Sequence, residues 1–320
     1  MLSEAVPAEG IHLTALREVV NQAALDAPAR QRLLRHGEAA RLGALLVDLP
    51  YFHRFAVEVV RYVAKLPPRP SAWGAALHSG GAISLLSEVI GVARRERGDT
   101  LGAIALGLAS HLSIDRALHP LVNSLARRYP VGGNHDAAHR EVEKFQSICF
   151  HEGYMGRDLM GTRAITGYLE LPALAQLAEP ELSARVRQAW AAALGSAPTA
   201  PELAGFGRGY RAHIRLIGWP VGKRIAPEAA KEAARPRYLH GAWGTFAGAL
   251  AAAVTESART LNAVVAMLDA GERELAAAQA ALARVLPPGT IDPPGDEHTL
   301  ERPFEPRLGD LPQAPSASTG

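Results

Sequence analysis

The chain has 320 residues, of which 48% are hydrophobic and 21% are charged, and its formal net charge is +2. This length supports one large domain or two small ones with a substantial core, and the near-neutral charge gives no sign of a nucleic-acid-binding surface. One cysteine, Cys149, excludes a disulfide within the chain and agrees with a reducing compartment. Residues 1–10 lack the basic and apolar regions of a signal peptide, so we expect a cytoplasmic protein.

Apolar residues recur at helical spacing along most of the chain, and no alternating β-branched run is long enough for a strand. The predicted fold is therefore all-α, a multi-helix bundle. Upstream of the central stretch, the predicted helices cover residues 11–25, 29–47, 52–65 and 82–97. Charged, Gly and Pro residues interrupt the apolar segments before the ~20 residues that a membrane span needs, so no transmembrane segment is expected.

Two central helices over 101–150 are followed by predicted helices over 157–169, 172–194, 201–216 and 240–285, the last long enough to break near Gly271. Beyond Leu286 the chain becomes rich in Pro and Gly and lacks the apolar content that folding requires. We therefore expect a helical metal-binding core over 1–165, additional helices over 166–286 packed on it as one domain, and a disordered Pro-rich tail over 287–320.

The central stretch carries imidazoles and carboxylates at helical spacing. His111, Asp115 and His119 are successively four residues apart, and His139 and Glu143 repeat the spacing. Residues four apart share a helix face, so neighbouring members of each set can share an ion. His111 and His119 are roughly 12 Å apart along the axis, too far for one small cation, which indicates two ions with Asp115 between them.

Nitrogen and oxygen donors of this kind favour zinc over iron or manganese. The alternative is that these are ordinary His–carboxylate pairs on a helix face, each worth a few tenths of a kcal/mol. Two sets inside apolar helices favour the metal, because an unpaired buried carboxylate is costly. His135 competes with His139 as a ligand, although its place after Asn134 is more typical of a helix cap.

Three upstream residues have two explanations each. Asp48 follows an apolar run and precedes Pro50, His78 begins a Gly-rich break, and His12 lies in the first predicted helix. Singly, they are explained as a turn residue, a loop histidine and a partly exposed helix residue. Their order along the chain favours a role in the metal site.

That order resembles the zinc-dependent phospholipase C family. The likeness comprises a histidine in the first helix, Gly43-Ala-Leu-Leu-Val-Asp48, Leu77-His78, Ala109-Ser-His111-x-x-x-Asp115-x-x-x-His119-Pro, and His139-x-x-x-Glu143. It covers about the first 150 residues. The single-strand-specific zinc nucleases are similar at a distance, and the spacing is most similar to that of glycosylphosphatidylinositol-specific phospholipase D.

The resemblance implies two or three zinc ions. One would be held by Asp48, His78, His111 and Asp115, a second by His119, His139 and Glu143, and a third by His12 with Asp115. Two or three zinc ions that share ligands in this way lower the pKa of a bound water and offset charge on a phosphoryl group. The resemblance also implies that Asp48 accepts the proton of the attacking water. The implied activity is phosphoester hydrolysis of phospholipase C type, on a small-molecule or lipid substrate.

Candidate substrate contacts are aromatic residues able to line an apolar cleft, although such residues are more often core: Tyr51, Phe52, Trp73 and Tyr154. Arg116 and Arg140 directly follow ligand positions and are expected to point away from the ligand face. Two other functions stay open: a metalloenzyme of another reaction type, and a non-catalytic protein stabilised by metal.

Overall fold

The structure is a computed structural model that describes residues 9–67, 69, 71–132, 134–240 and 246–295. It is all-helical over these residues, without a β-strand, and the fold-class prediction of an all-α bundle is confirmed. The α-helices are α1 Glu9–Val19, α2 Ala27–Arg35, α3 Gly37–Leu45, α4 Phe55–Val63, α5 Ala72–Ala76, α6 Ala82–Glu96, α7 Asp99–Arg128, α8 His135–Met155, α9 Arg163–Leu169, α10 Pro180–Leu194, α11 Ala200–Gly218, α12 Glu228–Ala234, α13 Phe246–Asp269 and α14 Glu272–Val285. Short 3₁₀ turns cover Leu49–Phe52, Pro172–Ala178 and Pro220–Arg224, and π-type turns cover Leu77–Gly81 and Arg235–Leu239.

Several helix boundaries differ from the prediction. The segment 29–47 is two helices, because the chain leaves helical geometry at His36 between α2 and α3. The helix predicted over 157–169 begins only at Arg163, after a turn. The break near Gly271 is present between α13 and α14, whereas residues 241–245 of that predicted helix lie outside the described range.

Helix α7 lies at the centre of the molecule and packs against α1, α3, α6, α8 and α13. The crossing of α3 and α7 is unusually close. A Cβ at Gly43 would overlap the Ile104 carbonyl oxygen, and one at Gly107 would overlap the Ala40 carbonyl oxygen. This contact holds the end of α3 beside the middle of α7, so that Ala44 reaches His111.

Replacing Gly107 by alanine tests this crossing. The new methyl group would meet backbone atoms, including Ala44 N at 2.7 Å, and overpacking of this kind costs about 1–3 kcal/mol. Urea unfolding should show the loss. Gly102→Ala on the same helix is the matched control, because its Cβ would only touch Leu268 at 3.6 Å. Equal stability of the two variants would contradict the tight crossing.

The chain beyond α14 differs from the disordered tail predicted over 287–320. Residues 287–295, called the C-terminal strap below, pack against α7, and Ile291 is fully buried. A Cβ at Gly295 would overlap Pro120 O, so the strap approaches α7 backbone to backbone. The remainder of that predicted tail, 296–320, lies outside the described residues.

Two helical stretches are long and apolar enough to cross a membrane by length and composition, Ala72–Glu96 and Asp99–Arg128. The sequence analysis expected no apolar segment of that length. The first stretch is kinked at Gly80, whose φ is 127°. The most apolar window of the second is 89% buried within the protein. A buried core helix passes the same test, and α7 is such a helix.

Candidate metal centre

The eight predicted ligands come from five parts of the chain and lie close together at one cavity, which all of them except His111 line. Helix α1 provides His12, the residue before the Leu49–Phe52 turn is Asp48, and the kinked Leu77–Gly81 turn provides His78. The remaining five lie on α7 and α8: His111, Asp115, His119, His139 and Glu143. The structure thus brings together residues that are up to 131 positions apart in the sequence, from His12 to Glu143.

Asp115 lies in the middle of the cluster. Its Oδ2 is 2.9 Å from His111 Nε2, and its Oδ1 is 3.3 Å from His12 Nε2 and 3.8 Å from His119 Nε2. The side chain is only 7% exposed, so three imidazoles replace most of the water around this carboxylate. A position between two ions, as predicted from the spacing, is open to it.

Asp48 joins α3 to this cluster. Its Oδ1 is 3.4 Å from His78 Nε2, and its Oδ2 is 3.9 Å from His111 Nδ1 and 4.0 Å from His12 Nε2. Two sets of three donors have ligand atoms within 4.8 Å of one another here, namely His12 with His111 and Asp115, and Asp48 with His78 and His111. Buried His and Asp groups that could bind a metal ion are therefore present.

The second part of the cluster is formed by α7 and α8. Glu143 Oε1 is 3.2 Å from His119 Nε2 and 3.4 Å from His139 Nε2. A third donor set with ligand atoms within 4.8 Å combines these two histidines with Asp292 of the C-terminal strap. His135, the rival of His139, is exposed at the start of α8, with its ring centroid 6.2 Å from that of His139.

Four of the histidines have the same orientation. Their Nδ1 atoms donate to oxygen: His78 to Gly74 O at 3.0 Å, His111 to Ala44 O at 2.8 Å, His119 to Ile291 O at 3.0 Å and His139 to Asn123 Oδ1 at 2.8 Å. A carbonyl oxygen can only accept, so Nδ1 carries the hydrogen in each pair. Nε2 is thereby left to face the carboxylates, which is the usual arrangement of metal-binding histidines.

Two buried atoms in the cluster lack hydrogen-bond partners among the described residues. His111 Nε2 lies close to Asp115 without the angles of a hydrogen bond, and His12 Nδ1 has no acceptor. Buried polar atoms are normally satisfied. The His111 nitrogen and the Asp115 oxygen are 2.9 Å apart, and this donor set of nitrogen and oxygen fits zinc.

The electrostatics of the cluster depend on its carboxylates. Burial alone would lower the pKa values of His111 and His119, but neighbouring carboxylates, Asp115 first among them, raise these pKa values to about 9 and about 10. Burial would raise the pKa of Asp115, but His111 and His119 hold it well below its usual range. Without a metal, protons on the histidines thus balance the carboxylate charge.

His12 behaves differently from these histidines. Burial and the nearby His111 lower its pKa to about 4. The two rings are stacked with centroids 3.8 Å apart, so a positive charge on His111 disfavours a second one on His12. His12 is therefore neutral at pH 7, so one of its two ring nitrogens carries no hydrogen and is open to a metal ion.

The cluster borders a cavity of about 350 Å³. Of the four predicted substrate contacts, Tyr51 and Phe52 line it. The other two lie elsewhere: Trp73 packs edge-on against Trp190, and the Tyr154 hydroxyl donates to Glu18 at 2.8 Å. Both are held by the core, which is the common fate of aromatic residues on amphipathic helices.

Two cations of α8, Arg140 and Lys144, also line the cavity. From its position after His139, Arg140 is expected to point away from the ligand face of α8. The cavity extends past that face, so Arg140 also lines it. Arg140 Nε is buried without a hydrogen-bond partner among the described residues, and Lys144 is only 9% exposed. Burial lowers the pKa of Lys144. Arg116, as expected, points elsewhere and donates to Pro287 O.

Sequence reasoning missed Glu9 and Asp292, which line the same cavity. Glu9 is 2% exposed, and burial raises its pKa well above the ordinary value, which favours the protonated carboxyl. Its Oε1 is 3.5 Å from Nε2 of His213, whose pKa burial lowers to about 3. Helical spacing could have indicated Glu9, because it precedes His12 by three residues and therefore shares a helix face with it. No local sequence pattern indicated Asp292.

Fold and site together define an all-α protein with buried His and Asp groups able to bind a metal ion. The chain was compared with protein-family models, curated proteins and solved structures, and no match to it was found in any of the three.

Proposed function

We propose that this protein is a zinc-dependent phosphoester hydrolase of the phospholipase C type, the family that its sequence resembles. The observation that carries the proposal is the shared orientation of His78, His111, His119 and His139, each with Nδ1 bonded outward and Nε2 facing a carboxylate. Ordinary surface His–carboxylate pairs have no reason to share this arrangement.

The ions would occupy two positions, with a third at His12 and Asp115. Asp48, His78, His111 and Asp115 would hold the first, and His119, His139 and Glu143 the second. Bound there, zinc supplies Lewis acidity to a phosphoryl group and makes water nucleophilic near neutral pH. Asp115, whose carboxylate lies close to His12, His111 and His119, would be held in common by neighbouring ions.

Two carboxyl groups on the cavity wall have pKa values that are shifted in opposite directions. Positive charge on His111 and hydrogen bonding to His78 lower the pKa of Asp48 despite its burial, so it stays ionised and can orient a water and accept its proton. Burial raises the pKa of Glu9 well above its ordinary value, which favours a proton on this carboxyl and suits it to donate one to a departing alcohol oxygen. Environments that separate two carboxyl pKa values in this way define an acid and a base.

Arg140 and Lys144 support an anionic substrate. Neither forms an ion pair with a carboxylate within 4 Å in the part of the chain that the structure describes, and both face the cavity. A phosphate oxygen would give each a charge-assisted hydrogen bond, which is about twice as strong as a neutral one. The cations thus complement a phosphoester at the edge of the metal cluster.

Metal analysis combined with hydrolysis of chromogenic phosphoesters tests the proposal. We expect at least two zinc equivalents and measurable hydrolysis in the wild type. In His111→Ala and Glu143→Ala we expect less bound zinc and no hydrolysis, because each variant removes a proposed ligand. His240→Ala, which changes an exposed histidine outside the cluster, is the matched control and should behave like the wild type. A wild type with no more zinc than the ligand variants would refute the metal site, and a zinc-loaded but inactive wild type would refute the reaction.

A further inference from the structure

The C-terminal strap is connected to both histidines of the second metal position. The carbonyl oxygen of Ile291 accepts from His119 Nδ1 at 3.0 Å, and Asp292 Oδ1 lies 3.3 Å from the same nitrogen. Asp292 Oδ1 also accepts from Asn123 Nδ2 at 2.7 Å. Asn123 Oδ1 then accepts from His139 Nδ1 at 2.8 Å. Asn123 Nδ2 also donates to Pro293 O at 3.0 Å, so hydrogen bonds run from His139 through Asn123 to two acceptors of the strap, Asp292 and Pro293.

These hydrogen bonds determine which ring nitrogen of each histidine faces the cavity. Asn123 donates to the carboxylate through Nδ2, so its Oδ1 must be the end that meets His139, and His139 Nδ1 must carry the hydrogen. The same logic applies to His119 and the Ile291 carbonyl. Both Nε2 atoms are consequently free of hydrogen in the neutral rings and face Glu143 at 3.2 and 3.4 Å.

The strap is held independently at both ends. Thr290 Oγ1 donates to the carbonyl oxygen of His78 at 3.1 Å, which ties the strap to the first metal position as well. Arg116 donates to Pro287 O and Arg127 donates to Gly295 O, while Ile291 is fully buried between them. The carbonyl of Ile291 and the carboxylate of Asp292 are therefore fixed in place relative to α7.

We propose that the strap positions His119 and His139 for the second metal ion, so that metal binding and docking of the strap stabilise each other. Ile291 acts on His119 directly, and Asp292 acts on His139 through Asn123 of α7. Asp292 acts here as a positioning residue, because the oxygen that approaches His119 lies on its Nδ1 side and already accepts from Asn123. The inference rests on the metal part of the proposed function and does not depend on which reaction is catalysed.

Zinc titration of the full-length metal-free protein against a chromophoric chelator tests the positioning role. Loss of a residue that hydrogen-bonds to a metal ligand typically lowers metal affinity 10–100-fold. Asp292→Ala should therefore lower the zinc affinity of the second position by about that factor and leave the affinity of the first position unchanged. Asp292→Asn should restore most of the affinity, because its amide oxygen can accept from Asn123. Glu272→Ala, which removes an exposed carboxylate of α14, should bind as the wild type does.

Hydrogen exchange of the strap tests the coupling from the other side. Binding free energies are reciprocal, so zinc should slow amide exchange over 287–295 in the wild type and much less in Asp292→Ala. The inference is overturned if Asp292→Ala binds both ions like the wild type, if Asp292→Asn is as weak as Asp292→Ala, or if zinc leaves strap exchange unchanged. A protein that binds two ions and passes these tests but hydrolyses no phosphoester would contradict the proposed function alone.

Discussion

Replacing Asp115 by asparagine or alanine is expected to remove bound zinc from both positions and to lower phosphoester hydrolysis at least about 1,000-fold, equivalent to about 4 kcal/mol of transition-state stabilisation. Among the residues that the structure describes, Asp115 is the carboxylate that approaches His12, His111 and His119 together, at 3.3, 2.9 and 3.8 Å. Without its charge, the two ions would lose a shared ligand and repel each other more strongly.

Metal analysis, steady-state hydrolysis and circular dichroism on the same samples check this expectation. Asp115→Asn preserves the size of the side chain, so a loss of metal in a variant of wild-type helicity comes from the missing charge. Asp99→Ala at the exposed start of α7 is the matched control. An Asp115→Asn protein that keeps two zinc equivalents and full activity would show that the residue is not a shared ligand.

The metal-free protein is expected to lose stability as the pH rises from about 6.5 to 10. The folded pKa values of His111 and His119 are raised to about 9 and about 10, from an ordinary value of 6.5. A group with a raised pKa stabilises the fold fully below its unfolded pKa, and this stabilisation is lost as the pH passes through the folded pKa. We expect a loss of at least about 2 kcal/mol, or roughly 4 °C in Tm.

Below pH 6.5 the sign reverses. His12, whose folded pKa is lowered to about 4, resists the proton that the unfolded chain accepts near pH 6.5. Asp115 and Glu143, whose pKa values are lowered, keep their stabilising charge until the pH falls below about 4, where unfolded carboxylates take up protons. Stability without metal should therefore peak near pH 6.5. Thermal unfolding in a chelating buffer from pH 5 to 10 measures this profile.

Zinc should change the alkaline side of the profile. Metal binding displaces protons from histidine ligands, so zinc affinity increases with pH over the range in which the metal-free fold weakens. The difference in Tm between zinc-loaded and metal-free protein is thus expected to widen from pH 6.5 to 9. A constant difference across this range would contradict proton release from His111 and His119.

The ligand cluster could be predicted because helical spacing reports directly which side chains share a face. His111, Asp115 and His119 follow each other on α7, and His139 and Glu143 repeat the pattern on α8. Asn123 continues the same four-residue spacing after His119, but an asparagine in a helix does not by itself indicate a functional site. Its role became visible only through its contacts with His139 and Asp292.

Asp292 could not be predicted, because no local pattern reports long-range docking. It lies in Pro-Pro-Gly-Thr-Ile-Asp-Pro-Pro-Gly, whose composition is typical of a disordered tail. The single buried side chain of Ile291 and the carbonyls that α7 arginines bind are enough to hold the segment. Likewise, the aromatic character of Trp73 and Tyr154 could not separate a cleft wall from the core.

The cavity volume sets which part of a substrate this protein could discriminate. A space of about 350 Å³ corresponds to roughly ten water molecules, enough for a phosphorylated polar group but not for two long acyl chains as well. With a lipid ester, the hydrocarbon would extend beyond the mouth and make few contacts. Selectivity would then fall on the polar end of the molecule, and turnover would vary little with acyl length.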